Sequence, residues 1–237
     1  MNEDDVLLLE NMDEKHWYGK NRNSLLYKIV LKFINLDQKI LEIGCGTGII
    51  LNSLQLKGYQ VTGLEPTISG FTACIEKKLD VQNLYLEQYV PKNKFDAVLL
   101  FDVLEHIEND TDALRYINKN LLTDNGILLV AVPSSPALWS QVDKDVFHFR
   151  RYTFRLIMEL LDESGFEIKY WRRWITLIYP LVYFHRKVFN RGFKNENQKP
   201  HLLINMLLSL ILKCENKINL KMLPSVSIMF VATPRKT

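Results

Sequence analysis

The chain has 237 residues, 47% of them hydrophobic, enough for one large domain with a full core. With 30 Lys or Arg against 27 Asp or Glu, the net charge of +3 is too small to point to nucleic acid, and no nucleic-acid partner is expected. Cys45, Cys74 and Cys214 are odd in number and lack paired metal-ligand spacing, so free thiols in a reducing compartment and no metal site are expected.

The start, MNEDDVLLLEN, is acidic where a signal peptide is basic, and its apolar piece at 6–9 is too short for a signal core; the expectation is a cytoplasmic protein. NSLLYKIVLKFI then places Leu25, Leu26, Ile29, Val30, Phe33 and Ile34 on one stripe, which predicts a helix within an N-terminal helical cover over 1–36. Strand-like runs follow at KILEIG, QVTGLE, NLYLE, DAVLLF, GILLVAVP, EIKYW and VSIMFVA, the first five alternating with helical stretches. That alternation predicts an α/β fold: a doubly wound, mostly parallel sheet of seven strands in a single domain over 1–237. Asn109-Asp110-Thr111 matches a glycosylation sequon but is better read as the N-cap of the helix through ALRYINKNL.

Right-handed crossovers bring the carboxyl ends of parallel strands to one edge, where ligands of such sheets bind. The unusual residues fall there. KILEIGCGTGIILNSL places Gly44, Gly46 and Gly48 between a strand and a helix, leaving backbone bare beside unsatisfied helix N–H groups. Glu65 ends the second strand, where a carboxylate can accept two ribose hydroxyls. A dinucleotide fingerprint needs a small residue where Ile49 stands. Glu42, two residues before the first glycine, repels a pyrophosphate and suits a cationic ligand.

The motifs ILEIGCGTG, VTGLEPT, FDAVLLFDVLEHI and GILLVAVP resemble, in order, those of class I S-adenosylmethionine-dependent methyltransferases, over roughly residues 15–170. EKHWYGKNR and PALWSQVDKDVFHFRRYT resemble a narrower branch, the ubiquinone-biosynthesis-type small-molecule methyltransferases, some of which accompany glycosyltransferases of lipid-linked sugars. Phe147 departs from that branch, which usually has glycine before the histidine. The resemblance implies S-adenosylmethionine as cofactor and S-adenosylhomocysteine as product. It places Glu42 near the methionyl amino group, Gly44 and Gly46 under the methionyl and ribose portions, and Glu65 on the ribose hydroxyls. Glu87 and Gln88 would flank adenine, and Phe101 and Asp102 would lie along the methionyl chain. Cys45, Gly48, Pro66 and Val103 belong to the same cofactor loops. Trp17, Tyr18 and Arg22 are candidates to cover the methionyl carboxylate, although Trp17 and Tyr18 suit plain packing equally well.

Methyl transfer from a sulfonium disperses charge, so positioning does most of the work, and a hydroxyl acceptor gains from a general base. His106 and His148 are the candidates. His106 is expected at a helix N-terminus, where the dipole disfavours the charged imidazole. His148 lies in a loop after the fifth strand with Trp139, Arg151 and Tyr152, which are assigned to the acceptor. His185 and His201, among apolar residues, read as packing or snorkelling.

Residues 171–224 carry ten Lys or Arg against Glu196 and Glu215, a local +8 that leaves −5 for the remainder. WITLIYPLVYF and LLINMLLSLIL are too short to span a bilayer, which needs about 20 apolar residues. They predict a helical insertion before the last strand, serving as lid, subunit interface or membrane-surface element. The functional expectation is methyl transfer to a hydroxyl or amine of a small molecule, lipid-linked or anionic, by a monomer or homodimer that is cytoplasmic or membrane-associated. The alternatives are a cofactor-binding module without methyl transfer, and a methyltransferase acting on a protein. The NPPY-type tetrapeptide of enzymes methylating base nitrogens is absent after the fourth strand, where FDVL stands.

Overall fold

A computed structural model describes residues 16–189 and 200–236. The acidic start and Arg191, Lys194, Glu196 and Lys199 of the basic segment lie outside the described residues. The described chain opens on helix α1 (Trp17–Phe33) and alternates through β1 (Lys39–Ile43), α2 (Ile49–Lys57), β2 (Gln60–Leu64), α3 (Ile68–Glu76) and β3 (Val81–Gln82). It continues through β4 (Phe95–Phe101), α4 (Asp110–Tyr116), β5 (Leu122–Pro133), α5 (Gln141–Asp145), α6 (Phe154–Glu163) and β6 (Phe166–Trp174). Helices α7 (Tyr179–Phe189) and α8 (Leu202–Glu215) precede the last strand, β7 (Ser227–Pro234).

The seven strands form one sheet in the order β3-β2-β1-β4-β5-β7-β6. β1 to β5 run parallel, and β7 is antiparallel to both its neighbours, β5 and β6. The order reverses between β1 and β4, which opens a crevice at the carboxyl edge of those two strands. Side chains alternate across the sheet as the pleat requires. Ile40, Ala97, Leu99 and Phe101 face a core shared with α1, α2 and Leu212 of α8. Leu41, Ile43, Val98 and Leu100 face the other core, with Leu114, Ile157 and Leu161.

Two expectations shift. The third strand is not NLYLE but Val81–Gln82; in NLYLE the chain turns, Leu86 is buried as a plug, and Gln88 Oε1 accepts the Tyr85 N–H at 3.0 Å. The sixth strand runs on to Trp174, so Arg172 and Arg173 belong to the sheet and the insertion begins after them, not at 171. Arg172 is buried and donates from Nη2 to the carbonyls of Glu215 and Ile218, both at 2.6 Å. The Asn109 cap holds as expected, its Oδ1 accepting the Asp112 N–H at 3.3 Å.

The insertion is fastened at both ends. The carboxylate of Glu215, itself buried, accepts the Thr176 and Leu177 N–H groups at 3.0 to 3.1 Å just ahead of α7. α8 is zipped to α1 by polar contacts: Trp17 N–H donates to Asn205 Oδ1 at 2.9 Å, and Asn21 Nδ2 to Ser209 Oγ at 2.9 Å. Leu203, Met206, Leu207 and Leu210 stay exposed on α8 at helical spacing, as do Leu181, Phe184 and Val188 on α7.

Candidate functional site

The crevice between β1 and β4 is floored by the glycine loop. Gly44, Gly46 and Gly48 all have positive φ, at +67°, +56° and +77°, which an L side chain rarely adopts. They do different jobs. A Cβ on Gly44 would meet Val103 Cγ2 at 2.5 Å, and one on Gly48 would collide with Leu79 and lie 2.9 Å from Cys74 Sγ. A Cβ on Gly46 would meet nothing within 4 Å. Gly44 and Gly48 are therefore small for packing, and only Gly46 leaves open space beside bare backbone.

Glu65 is buried at the end of β2 and ties this loop down. Its Oε2 accepts the Gly46 N–H at 2.7 Å; its Oε1 accepts the Thr67 N–H at 2.9 Å and the Thr67 hydroxyl at 2.5 Å. A carboxylate offers about four acceptor positions, three of them taken here, so one is left on Oε2, and accepting two ribose hydroxyls requires the Thr67 hydroxyl to let go of Oε1. Glu42 is buried under the loop, and Cys45 turns its thiol inward, 3.8 Å from Cys74 Sγ. Pro66 is half-buried after Glu65. Glu87 and Gln88 lie exposed in the turn after β3.

On the opposite wall, Asp102 follows β4 at φ +55°. Arg22 reaches it from α1, with Nε 2.7 Å from Asp102 Oδ2, and also donates to the Phe101 carbonyl at 3.4 Å. Trp17 packs against the first core, its ring near those of His16 and Tyr18. Tyr18 sits 5.6 Å from the Trp174 ring, and burial raises its hydroxyl's pKa.

Beyond Asp102 the chain makes a 3-10 turn, Leu104–His106, and helix α4 begins only at Asp110. His106 is therefore not at a helix N-terminus, and the dipole argument does not apply. Its pKa is nevertheless pushed down to about 4, by partial desolvation first and then by repulsion from His148. The two rings stand edge to face with centroids 4.7 Å apart. His148 is carried there by the loop after β5, where Phe147 takes φ +60°, the conformation that explains glycine at this position in the resembling branch.

Asp143, fully buried, organises that loop. It accepts from His148 Nδ1 at 3.0 Å and Arg151 Nε at 2.7 Å, and Arg186 Nη1 lies 3.6 Å away. Burial alone would raise its pKa; the His148 hydrogen bond and the two guanidinium groups hold it down to about 2. An ionised Asp143 fixes the proton on His148 Nδ1 and turns the Nε2 lone pair toward His106 and Glu105. Glu105 is buried, with Oε1 3.8 Å from His148 Nε2, and neither carboxylate oxygen has a hydrogen-bond partner. Burial, then the charge of Asp102, raises its pKa well above the usual carboxylate range.

Two residues assigned to the acceptor are engaged elsewhere. Tyr152 is fully buried and donates to Asp110 Oδ2 at 2.9 Å, while Arg151, also buried, donates to Asp143 and the Ser134 carbonyl. They brace the loop and do not face a ligand; Trp139 remains half-buried. Glu105 and Asp143 carried no role in the sequence reading. The LEH of the third motif named Glu105's place, but nothing in its spacing shows that it meets a loop some forty residues on.

The profile of the methyltransferase domain family matches residues 18–195. The chain belongs to that family. Ubiquinone biosynthesis O-methyltransferase of Rhodopseudomonas palustris is 31% identical over 101 residues, covering 39% of either protein, so the match spans about two fifths of that relative's length. A SAM-dependent methyltransferase structure from Archaeoglobus fulgidus superposes with a TM-score of 0.60 at 16% identity, over 90% of this chain and 96% of that one. Coclaurine N-methyltransferase, solved with N-methylheliamine and SAH, gives 0.66 at 11% identity over 98% of this chain and 79% of its own. S-adenosylmethionine is the cofactor of that family, and the β1–β4 crevice, with open space beside Gly46 and the buried Glu65 carboxylate next to it, is compatible with such a ligand. Among the described residues no helix is long and apolar enough to cross a membrane.

Proposed function

We propose that the protein transfers a methyl group from S-adenosylmethionine to a hydroxyl oxygen of a small amphiphilic molecule. S-adenosylmethionine, when bound, supplies an electrophilic methyl on a sulfonium. Glu65 holds the ribose hydroxyls, the Gly44–Gly48 backbone accepts the close approach, and Glu42 and Asp102 favour a ligand carrying positive charge. Arg22 meets the methionyl carboxylate while keeping Asp102 in place. The acceptor's oxygen docks against His106 and His148, whose neighbourhood to Asp102 is close enough for that carboxylate's charge to act on His106.

The observation that carries the reading is the pair of imidazoles past the end of β4, His106 kept neutral and His148 brought against it by the loop after β5 and oriented by the buried Asp143. Amine acceptors need no such pair, because solvent can take their proton. The named activity of the Rhodopseudomonas relative, an O-methyltransferase, supports the same choice. The exposed apolar faces of α7 and α8, flanked by Lys187, Lys213 and Lys217, suit an acceptor with an apolar tail delivered from an anionic membrane surface. The test is calorimetric binding of S-adenosylmethionine, followed by assay of S-adenosylhomocysteine release with hydroxylated aromatic acids, their prenylated forms and matched amines. Turnover with the amines and none with the hydroxyl compounds would overturn the oxygen assignment; no binding of S-adenosylmethionine would overturn the whole.

A further inference from the structure

We propose that Cys45 and Cys74 form a reversible disulfide under hydrogen peroxide and that this bridge weakens the hold of the glycine loop on S-adenosylmethionine; the second half rests on the cofactor reading above. Cys45 stands between Gly44 and Gly46, and Cys74 lies 29 residues on, in α3. Both are buried, with their Sγ atoms 3.8 Å apart. A disulfide holds its sulfurs at about 2.05 Å, so the pair must close by about 1.8 Å. Two glycines shape the space around them: a Cβ on Gly63 would lie 2.9 Å from Cys45 Sγ, and one on Gly48 would lie 2.9 Å from Cys74 Sγ. Any larger residue at either place would press on a sulfur.

Cys74 is also tied into the floor of the crevice. Its thiol donates to the Gly46 carbonyl at 3.3 Å, while the Gly46 N–H donates to Glu65 Oε2 at 2.7 Å. Gly46, the loop glycine with open space beside it, is thus held from both sides. A disulfide sulfur has no hydrogen to give, so oxidation removes one of the two holds whatever geometry the bridge adopts. The backbone of Cys45 is pinned, its N–H donating to the Leu64 carbonyl at 3.1 Å, and Cys74 belongs to a helix. The movement that closes the sulfurs is therefore passed to Gly46, whose remaining anchor is the Glu65 carboxylate.

The two thiols have different parts. A hydrogen bond from Cys45 lowers the Cys74 pKa, against burial and the charge of Glu65 and with help from Lys77; the same bond, and burial, push Cys45 up. The Cys74 thiolate attacks one peroxide oxygen, the O–O bond breaks, and hydroxide leaves with the electron pair, giving the sulfenic acid of Cys74. The Cys45 sulfur then attacks that sulfur, the S–O bond breaks, and the departing hydroxide takes the Cys45 proton as water. The first hydroxide takes the proton that Cys74 had lost. In sum, two thiols and one hydrogen peroxide give one disulfide and two waters, each sulfur giving up one electron. Hydrogen peroxide is small enough to enter from the crevice beside Gly46, in the loop where Cys45 keeps 8% of its surface exposed. Cofactor seated there and the bridge oppose each other, so each weakens the other by the same factor.

The test uses the full chain with the exposed Cys214 changed to serine, so that no cross-link between molecules forms through it. After hydrogen peroxide, peptide mass spectrometry reads the bridge and calorimetry reads S-adenosylmethionine affinity. The expected result is a Cys45–Cys74 bridge with affinity lowered by about tenfold or more, both undone by dithiothreitol. Saturating S-adenosylmethionine should slow the bridge. Cys74→Ser keeps a hydroxyl to donate to Gly46 and cannot form the bridge, so peroxide should leave its affinity where it was. No bridge in the cofactor-free chain, at a peroxide dose that oxidises glutathione in a parallel sample, overturns the proposal, as does an equal loss of affinity in Cys74→Ser. Where Cys74→Ser fails to fold, the bridge and its reversal in the parent chain still decide. The two readings fail separately: a reduced chain that does not bind S-adenosylmethionine overturns the proposed function, whereas one that binds it and keeps full affinity once bridged overturns the switch.

Discussion

Arg22 on α1 and Asp102 after β4 lie 80 residues apart in the chain and meet at 2.7 Å, Nε donating to Oδ2. The same guanidinium donates to the Asn23 side chain at 2.9 Å and the Phe101 carbonyl at 3.4 Å. It thus holds a left-handed Asp102 against the crevice. Arg22→Ala should weaken S-adenosylmethionine binding by about 1.5–3 kcal/mol, the range for hydrogen bonds to charged groups. Arg22→Lys should not restore it, because an ammonium lacks the planar fork that spans three acceptors. Calorimetry of the two variants checks both statements; full affinity in the lysine variant would count against them.

Glu65→Ala removes acceptors for Gly46 and Thr67 as well as the proposed ribose contact. Cofactor affinity should fall by about 1.5–3 kcal/mol, and the melting temperature should drop even without ligand because the loop loses its anchor. The rise in melting temperature on adding S-adenosylmethionine should shrink accordingly. An undiminished rise would remove Glu65 from the cofactor site.

The glycines separate fold from binding. Gly48→Ala inserts a methyl between Leu79 and Cys74, and overpacking of this kind costs about 1–3 kcal/mol of stability. Gly46→Ala meets no atom within 4 Å, so its effect on stability should be confined to the strain of a left-handed alanine, about 1–2 kcal/mol, while cofactor binding suffers most. Thermal melts beside binding isotherms give the contrast, which fails if Gly46→Ala binds normally.

Phe147 adopts φ +60° with its ring 82% exposed. Phe147→Gly should leave stability unchanged or raise it by up to about 1 kcal/mol, since the relieved strain offsets the greater freedom of an unfolded glycine. A loss above that size in a denaturant titration would mean that the ring packs in solution.

The apolar faces of α7 and α8 should bind vesicles rich in anionic lipid, and binding should weaken as salt rises. Changing Leu203, Met206, Leu207 and Leu210 to serine should abolish co-sedimentation while S-adenosylmethionine affinity stays as it was. A wild-type chain that ignores anionic vesicles and elutes as a dimer would assign these faces to subunit contact instead.

The parts of the molecule that the sequence made readable are those encoded by neighbours in the chain. Strand and helix periods, the Gly44–Gly48 loop and Glu65 at a strand end each announce themselves within ten residues. NLYLE misled because Leu84 and Leu86 alternate like a strand, while the chain there turns to bury Leu86. Arg151 and Tyr152 misled for another reason: residue type shows that a side chain can bind a ligand, not that Asp143 and Asp110 have already taken it. The meeting of Glu105 with His148 depends on how the loop after β5 folds back over the β4 edge, and no local pattern records it.

β7 comes last in chain order among the seven strands of the sheet and yet lies inside it, between β5 and β6. A nascent chain that stops short of residue 227 therefore presents two unsatisfied strand edges, on β5 and on β6, with a gap between them that neither can close. The half of the molecule that carries the glycine loop is made early but must wait, partly open, for a segment synthesised some 180 residues later. Such a chain depends on completing translation before it can shield its own core, and its incomplete forms are natural clients for chaperones.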